Sequence, residues 1–178
     1  MEEVEKISSS ETLTARINKY YLNRLRQEAS EKEITVNALV NQIVKHHIYW
    51  HSVSPKVGFL PVRKELIRRL CEKHTEEEIL AIGQDMGKHK TRDMLLLVGN
   101  NFNLIAVLEM IEVWIRTSGY NYRRKIDGNK YSCTIEHAMG QKWSIYLTEI
   151  YRGIFNEFNL QPVFQSTPDV LMFEIEFQ

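Results

Sequence analysis

A short N-terminal segment alternates polar and apolar side chains in a way that could present hydrogen-bonding groups to a ligand. Thr12, Thr14 and Arg16 fall on one edge of the segment ETLTARI, and the residues between them are apolar. Successive side chains of a strand point to opposite faces, so this alternation predicts a short β-strand at 11–17. A guanidinium fork and two hydroxyl groups on one edge suit the donor and acceptor atoms that bases present in the major groove.

Two helices are predicted to follow this strand, and each begins after a residue that can cap it. Asn18 precedes a helical pattern that fades near Glu31, and Thr35 precedes a broad apolar stripe that runs to about Trp50. A strand and two short helices are too small to bury their own apolar faces. The sequence therefore predicts a homodimer in which a second copy covers those faces and the two strands pair.

Residues 12–50 resemble the ribbon-helix-helix (MetJ/Arc-type) DNA-binding family. The resemblance is carried by TLTARI, by the helix YYLNRLRQEAS and by TVNALVNQIV, and it covers about 39 of the 178 residues. It implies that a two-stranded ribbon enters the major groove and that the start of the second helix clamps a phosphate. The residues implied as DNA contacts are Thr12, Thr14, Arg16, Thr35, Val36 and Asn37.

A break in the pattern at 52–61 predicts a linker, because this stretch holds two prolines and a glycine. The predicted domains are a flexible tail at 1–10, a ribbon-helix-helix domain for DNA binding and dimerisation at 11–52, and an α+β domain for ligand sensing or oligomerisation at 56–178. The predicted fold class of the whole chain is α+β.

The second domain is predicted to consist of helices, a β-hairpin, a long helix and a closing strand. Asp127-Gly128 stands between two alternating segments, and both residues tolerate the positive φ that a tight turn requires. The other predicted elements are a capping box of Thr75 with Glu78, a helix at 104–116, an amphipathic helix at 141–158 and a strand at 170–177. This order is distantly similar to the V4R type of small-ligand-sensing domain.

Composition and charge exclude several classes of protein. Hydrophobic residues make up 43% and charged residues 26% of the chain, which is ordinary globular usage and excludes a disordered or collagen-like chain. The 23 basic and 23 acidic residues balance, which argues against bulk attraction to nucleic acid or acidic membranes. The acidic start lacks the features of a secretory signal, so we expect a cytoplasmic protein with no membrane partner.

Histidine and cysteine spacing offers little for a metal site. His46, His47 and His51 cluster at the end of the second predicted helix, and His47 with His51 has the i, i+4 spacing that can place two imidazoles on one metal, but no further Cys/His group lies nearby in the sequence. Cys71 and Cys133 lack a CxxC partner and are predicted to be small buried apolar groups. We therefore predict no metal and no cofactor.

The aromatic residues of the second domain could line a ligand pocket or could simply form its core. They are Phe102, Trp114, Tyr120, Tyr122, Tyr131, Trp143, Tyr146, Tyr151 and Phe155. No Walker glycine loop, GxSxG elbow or HExxH motif occurs, so no catalytic residue is predicted and the chain is not expected to be an enzyme.

These patterns together predict a homodimeric, sequence-specific DNA-binding transcriptional regulator with a C-terminal regulatory domain. Its expected partners are double-stranded DNA, a second copy of itself and a small-molecule effector. The alternative is an antitoxin or protein-interaction module that dimerises through the ribbon and binds a partner through its C-terminal domain. A third interpretation makes the second domain an enzyme, which would require a polar cluster in one of its pockets.

Overall fold

The computed structural model describes residues 10–56, 58–89 and 103–177, in which helices are combined with one antiparallel sheet. The α+β class is thereby confirmed. The backbone divides into two compact units, Met1–Val44 and Lys45–Gln178. The predicted flexible tail lies outside the described residues apart from Ser10, which is exposed. In the described ranges, no helix combines the length and the apolar character that crossing a membrane would require.

Two helices form the regular structure of the N-terminal unit, as predicted: α1 (Lys19–Glu31) and α2 (Val36–His46), the second of which extends past the boundary between the units. The side chain of Asn18 accepts a hydrogen bond from the backbone N–H of Tyr20 at 2.9 Å, so the predicted cap of α1 is confirmed. Glu33 adopts a φ of 55°, a left-handed conformation in which the chain turns between the helices.

The predicted N-terminal strand is not present, and an N-terminal ribbon-helix-helix is therefore not what the structure contains. Residues 10–18 have no regular secondary structure, and their side chains are exposed. A strand needs a neighbour that accepts and donates its backbone hydrogen bonds. The strands of the described chain pair only with one another at 121–176, so the alternating segment at 11–17 has no ladder to join.

The C-terminal unit contains a four-stranded antiparallel sheet in the order β1-β2-β4-β3. Its strands are β1 (Asn121–Asp127), β2 (Lys130–Glu136), β3 (Val163–Ser166) and β4 (Val170–Glu176). A π-helical segment (His47–His51) precedes its helices, which are α3 (Lys64–Glu72), α4 (Glu76–His89), α5 (Leu104–Thr117) and α6 (Gln141–Asn156). Helices α5 and α6 contact the sheet, while α3 and α4 contact α6.

Most of these elements confirm the sequence pattern. The predicted hairpin is β1–β2, with Gly128 at a φ of 60° in its turn, and the capping box is present because the Thr75 N–H reaches Glu78 at 2.8 Å. The short strand β3 is absent from the sequence prediction. Four residues of mixed polarity carry too weak an alternation to be recognised, and β3 exists through its pairing with β4.

The hydrophobic core lies between one face of the sheet and helices α5 and α6. Alternate residues of the two central strands point into it, which is the usual pattern for an antiparallel sheet with one solvated face. The buried strand residues are Tyr131, Cys133, Ile135, Leu171, Phe173 and Ile175. Of the predicted aromatic set, Tyr131, Tyr151 and Phe155 are fully buried, and Phe102 lies outside the described residues.

Helices α4 and α6 cross at glycines, which lets their backbones approach unusually closely. A Cβ atom placed on Gly153 would lie 2.6 Å from the carbonyl carbon and oxygen of Gly87. A Cβ on Gly87 would lie 2.8 Å from the carbonyl oxygen of Glu149. The crossing therefore leaves no room for a side chain, and it holds α4 close against α6.

Candidate functional site

The polar residues predicted to read bases are exposed but not aligned by a strand. Thr12, Thr14 and Arg16 lie in the irregular segment at 10–18. Without the pleat of a strand, nothing in the described chain holds the three side chains on a common edge. Their role as nucleic-acid contacts stays a prediction.

The residues predicted to clamp a phosphate lie at the start of α2. Thr35 caps the helix, because its hydroxyl oxygen accepts a hydrogen bond from the backbone N–H of Ala38 at 3.1 Å. Val36 is the first helical residue. The backbone carbonyl oxygen of the exposed Asn37 accepts a hydrogen bond from the side-chain amide of Asn41 at 2.9 Å. The capping function is present, and the phosphate contact stays a prediction.

The three histidines at and just after the end of α2 are His46, His47 and His51, and the ring of His51 lies near those of the other two. The rings of His46 and His51 are 4.7 Å apart, and His46 is hydrogen-bonded to the hydroxyl of Thr117 on α5. Burial, and then the proximity of His51, lower the pKa of His46. Across the described ranges, no three His, Cys, Asp or Glu side chains are grouped so that they could hold a metal ion.

The two cysteines are free thiols in different surroundings. Burial among the core side chains raises the pKa of Cys133 to about 12, so this thiol stays protonated at neutral pH. Cys71 on α3 is half-buried, and burial raises its pKa too, although Lys142 opposes that effect. The prediction of a small buried apolar group is confirmed for Cys133, whereas Cys71 is only partly buried.

His137 and Ser144 form a buried pair at the point where β2 has ended and α6 begins. Nδ1 of His137 accepts a hydrogen bond from the Met139 N–H at 3.1 Å, so the proton belongs on Nε2, which lies 2.9 Å from the Ser144 hydroxyl oxygen. The Ser144 hydroxyl donates to the carbonyl oxygen of Thr167 at 2.7 Å. Every polar atom of the pair thus has a partner.

This pair is arranged to order the backbone rather than to expose a nucleophile. Ser144 is 0% exposed and already donates its proton to Thr167, and the His137 side chain is also buried. Burial lowers the pKa of His137 to about 4, while Asp169 opposes and Lys64 reinforces that shift. At neutral pH the imidazole is uncharged and bonds to Ser144 at the start of α6, and the Ser144 hydroxyl in turn joins α6 to Thr167 in the turn between β3 and β4.

Three half-buried aromatic side chains lie next to this pair and form what we call the aromatic cluster: Tyr120, Trp143 and Tyr146. Trp143 and Tyr146 stack on α6, with ring centroids 4.9 Å apart and planes 27° from parallel. The ring of Tyr120 meets that of His137 edge to face at 6.1 Å. The sequence identified these aromatics, but it left open whether they form core or pocket.

A lysine from α3 borders the aromatic cluster. Nζ of Lys64 lies 4.5 Å from the ring centroid of Tyr120 and donates a hydrogen bond to the carbonyl oxygen of Gly119 at 2.9 Å. On the other side, Lys142 donates to the carbonyl oxygens of Glu72 and His74 at the end of α3. No sequence signal links Lys64 to Tyr120, because the two residues are 56 positions apart.

The aromatic cluster contains a buried donor that is not used. Nε1 of Trp143 is shielded from solvent and has no hydrogen-bond partner in the described structure. Burial raises the pKa of the Tyr120 phenol to about 12, and the nearby Trp143 indole opposes that shift. Both the indole and the phenol are therefore neutral groups with hydrogen-bonding capacity.

A second polar group joins α5 to the edge strand β1. Glu112 accepts hydrogen bonds from the Arg124 guanidinium at 2.6 Å and from the Tyr122 hydroxyl at 3.2 Å. The Tyr131 hydroxyl beneath them is buried and makes no hydrogen bond within the described structure. Since both oxygens of Glu112 already have partners, this group serves chiefly to hold β1 against the helix.

Two H-NOX structures are among the solved structures that match the chain, both at low similarity. One is a Cs H-NOX mutant carrying the unnatural amino acid 4-cyano-L-phenylalanine, at 11% identity over 71% of this chain and 84% of that chain, with a TM-score of 0.46. The other is a doubly substituted Tt H-NOX, at 10% identity over 79% of this chain and 93% of that chain, with a TM-score of 0.47. No family model and no curated protein matches the chain.

The prediction of a ribbon-helix-helix DNA-binding regulator is wrong. The segment at 11–17 that had to form the ribbon is not a strand. Without the paired ribbon, the reason for expecting double-stranded DNA as a partner and a ribbon-mediated homodimer is lost. The antitoxin alternative depended on the same ribbon and is not supported either.

Proposed function

We propose that Lys45–Gln178 is a non-catalytic domain that binds a small flat aromatic anion at the aromatic cluster. The observation that carries this proposal is the buried indole N–H of Trp143, which makes no hydrogen bond in the described structure. Leaving a buried donor unsatisfied costs roughly 1–3 kcal/mol. A ligand with an acceptor atom at this position would remove that cost, which favours binding.

The rings around Trp143 favour a flat ligand. Trp143 and Tyr146 already stack on each other, and aromatic faces bind flat molecules by the same offset arrangement. Burial raises the pKa of Tyr120 to about 12 and also raises that of Tyr146. Both phenols therefore stay uncharged at neutral pH and do not repel an anion.

Lys64 favours a negative charge on the ligand. Its ammonium group lies beside the aromatic cluster, over the Tyr120 ring, and its hydrogen bond to a backbone carbonyl occupies one of its three donors. A carboxylate or sulfonate placed between Lys64 and Trp143 would form charge-assisted hydrogen bonds, which are stronger than neutral ones. Small-molecule sites typically combine aromatic side chains with a few polar groups of these kinds.

The non-catalytic part of the proposal is supported by the state of the nearest reactive groups. The Ser144 hydroxyl is enclosed, and the His137 imidazole is committed to two hydrogen bonds. A serine nucleophile needs an accessible hydroxyl with a free base beside it. The pair instead stiffens the start of α6, from which Trp143 projects.

We expect the full chain to bind the dye 1-anilinonaphthalene-8-sulfonate saturably and with one-to-one stoichiometry. The dye is flat, aromatic and anionic, so it tests the three proposed ligand features together. Trp143→Phe keeps an aromatic ring but removes the N–H donor, and it should weaken binding about tenfold, the equivalent of one hydrogen bond to a charged group. The dissociation constant is measured by dye fluorescence.

Trp114→Phe is the matched control, because Trp114 is also half-buried but its ring packs against Tyr151, which is not a member of the aromatic cluster. This variant should bind the dye as the unsubstituted chain does. If the two tryptophan variants were impaired equally, or if several dye molecules bound without saturation, the aromatic cluster would not be the site.

Replacing Lys64 with methionine should change selectivity for charge. We expect Lys64→Met to weaken binding of the sulfonated dye about fivefold to tenfold and to leave binding of the neutral dye N-phenyl-1-naphthylamine nearly unchanged. The aliphatic stem still covers the Tyr120 ring in this variant. An equal loss for both dyes would show that Lys64 only supports packing and does not bind the anion.

A further inference from the structure

Helix α3 exposes aliphatic side chains that the rest of the unit does not cover. None of its nine residues is buried, and Leu66 and Leu70 are 51% and 52% exposed. Leu60 and Val62, just before the helix, are exposed as well. We call these four residues, Leu60, Val62, Leu66 and Leu70, the aliphatic surface.

The helix is attached through its other flank. Ile67 and Cys71 are half-buried, and they are one turn apart, as are Leu66 and Leu70. The apolar stripe of α3 is therefore wider than its contact with the protein, and its outer half consists of the exposed leucines. Hydrogen bonds hold both ends of α3 in place. Lys64, at its start, donates to the carbonyl oxygen of Gly119, and Lys142 of α6 donates to the carbonyl oxygens of Glu72 and His74 at its end.

The charge around the aliphatic surface is positive. Residues 60–73 contain five basic side chains and two acidic ones, a net charge of +3, although the whole chain has a net charge of zero. The basic residues are Arg63, Lys64, Arg68, Arg69 and Lys73. This net charge already counts the two acidic residues, Glu65, which is paired with Arg68 and Arg69, and Glu72, which lies 3.9 Å from Arg68.

We propose that the aliphatic surface docks α3 onto the surface of a bilayer that contains anionic lipid. Exposed leucines beside arginines and lysines are the composition of helices that lie in the interfacial plane of a membrane. Basic side chains near an anionic leaflet add electrostatic attraction that salt screens. A protein partner is less favoured, because leucine and valine, the apolar residues of this surface, are under-represented among interface hot spots, and neither Trp nor Tyr occurs at 60–73 beside its arginines.

The test is co-sedimentation of the full chain with phosphatidylcholine vesicles, with and without phosphatidylglycerol. We expect binding to the vesicles that contain phosphatidylglycerol, weaker binding to pure phosphatidylcholine, and loss of the difference at high salt. Leu66→Gln combined with Leu70→Gln should lower the partition coefficient at least tenfold. Arg68→Gln combined with Arg69→Gln should lower it about fivefold.

The matched control removes two exposed aliphatic residues from the neighbouring helix, as Leu80→Gln combined with Ile82→Gln on α4. This pair should leave vesicle binding unchanged. The proposal fails if the chain does not bind the phosphatidylglycerol vesicles or if the Leu66/Leu70 and Leu80/Ile82 double variants impair binding alike. It also fails if sedimentation velocity shows that the unsubstituted chain is a dimer and that the Leu66/Leu70 variant is a monomer, because the aliphatic surface would then be a dimer interface. None of these outcomes depends on ligand binding at the aromatic cluster.

Discussion

Gly153→Ala is expected to lower the free energy of unfolding of the C-terminal unit by about 3 kcal/mol, because overpacking of this kind costs roughly 1–3 kcal/mol or more. The added methyl group would lie 2.6 Å from the backbone of Gly87, and a backbone cannot move aside as a flexible side chain can. Alanine would otherwise stabilise a helix by about 1 kcal/mol relative to glycine. A net loss therefore means that the contact between α4 and α6 outweighs helix propensity.

Urea unfolding followed by tryptophan emission measures this change. The three tryptophans, Trp50, Trp114 and Trp143, all lie in the C-terminal unit, so the signal reports on that unit. Asn156→Ala on the exposed end of α6 is the control and should change the free energy of unfolding by less than about 0.5 kcal/mol. A Gly153→Ala variant more stable than the unsubstituted chain would contradict the close crossing.

The stability of the same unit should fall as the pH drops from about 6.5 towards 4, and His137 should account for about 3 kcal/mol of that loss. Burial lowers the pKa of His137 from an ordinary 6.5 to about 4, so between these values the unfolded chain binds more protons than the folded one. Above pH 6.5 the imidazole is uncharged in both the folded and the unfolded chain, so the full contribution of His137 to the free energy of unfolding is present. Protonation of Nδ1 would also remove the acceptor of the Met139 N–H and place two N–H groups against each other.

Urea midpoints between pH 4 and pH 7 test this expectation. His137→Gln should be less stable at pH 7 and should show a flatter dependence on pH, whereas substitution of the exposed His47 by glutamine should retain the original slope. The proton signals of the His137 ring give a direct check, because they should not titrate near pH 6.5. A midpoint near 6.5 would mean that the imidazole is open to solvent.

Local patterns predicted most of the individual elements. The caps of α1 and α2, the capping box of α4 and the β1–β2 turn all depend on residues within four positions of one another. Amphipathic spacing likewise predicted α5 and α6 to within two residues of their observed ends. Such interactions are encoded along the chain, so the sequence alone is sufficient to recognise them.

The N-terminal segment shows where the same reasoning failed. The alternation at 11–17 is the pattern of a half-buried strand, but a strand forms only where another strand supplies hydrogen bonds. The resemblance to a DNA-binding family was built on that strand, and the function derived from it was wrong for the same reason. Conversely, β3 has a weak pattern and forms because β4 is beside it.

The sequence by itself determined the α+β class, the positions of most helices and the hairpin, because each follows from side chains that are close along the chain. The second helix, predicted to run to about Trp50, instead ends at His46 and is followed by the π-helical segment. Only the tertiary structure decided the strand order, the glycine crossing of α4 and α6, the enclosure of Ser144 and the position of Lys64 over Tyr120. These features join residues that are distant in sequence, and packing in three dimensions selects them from many pairings that the same composition allows.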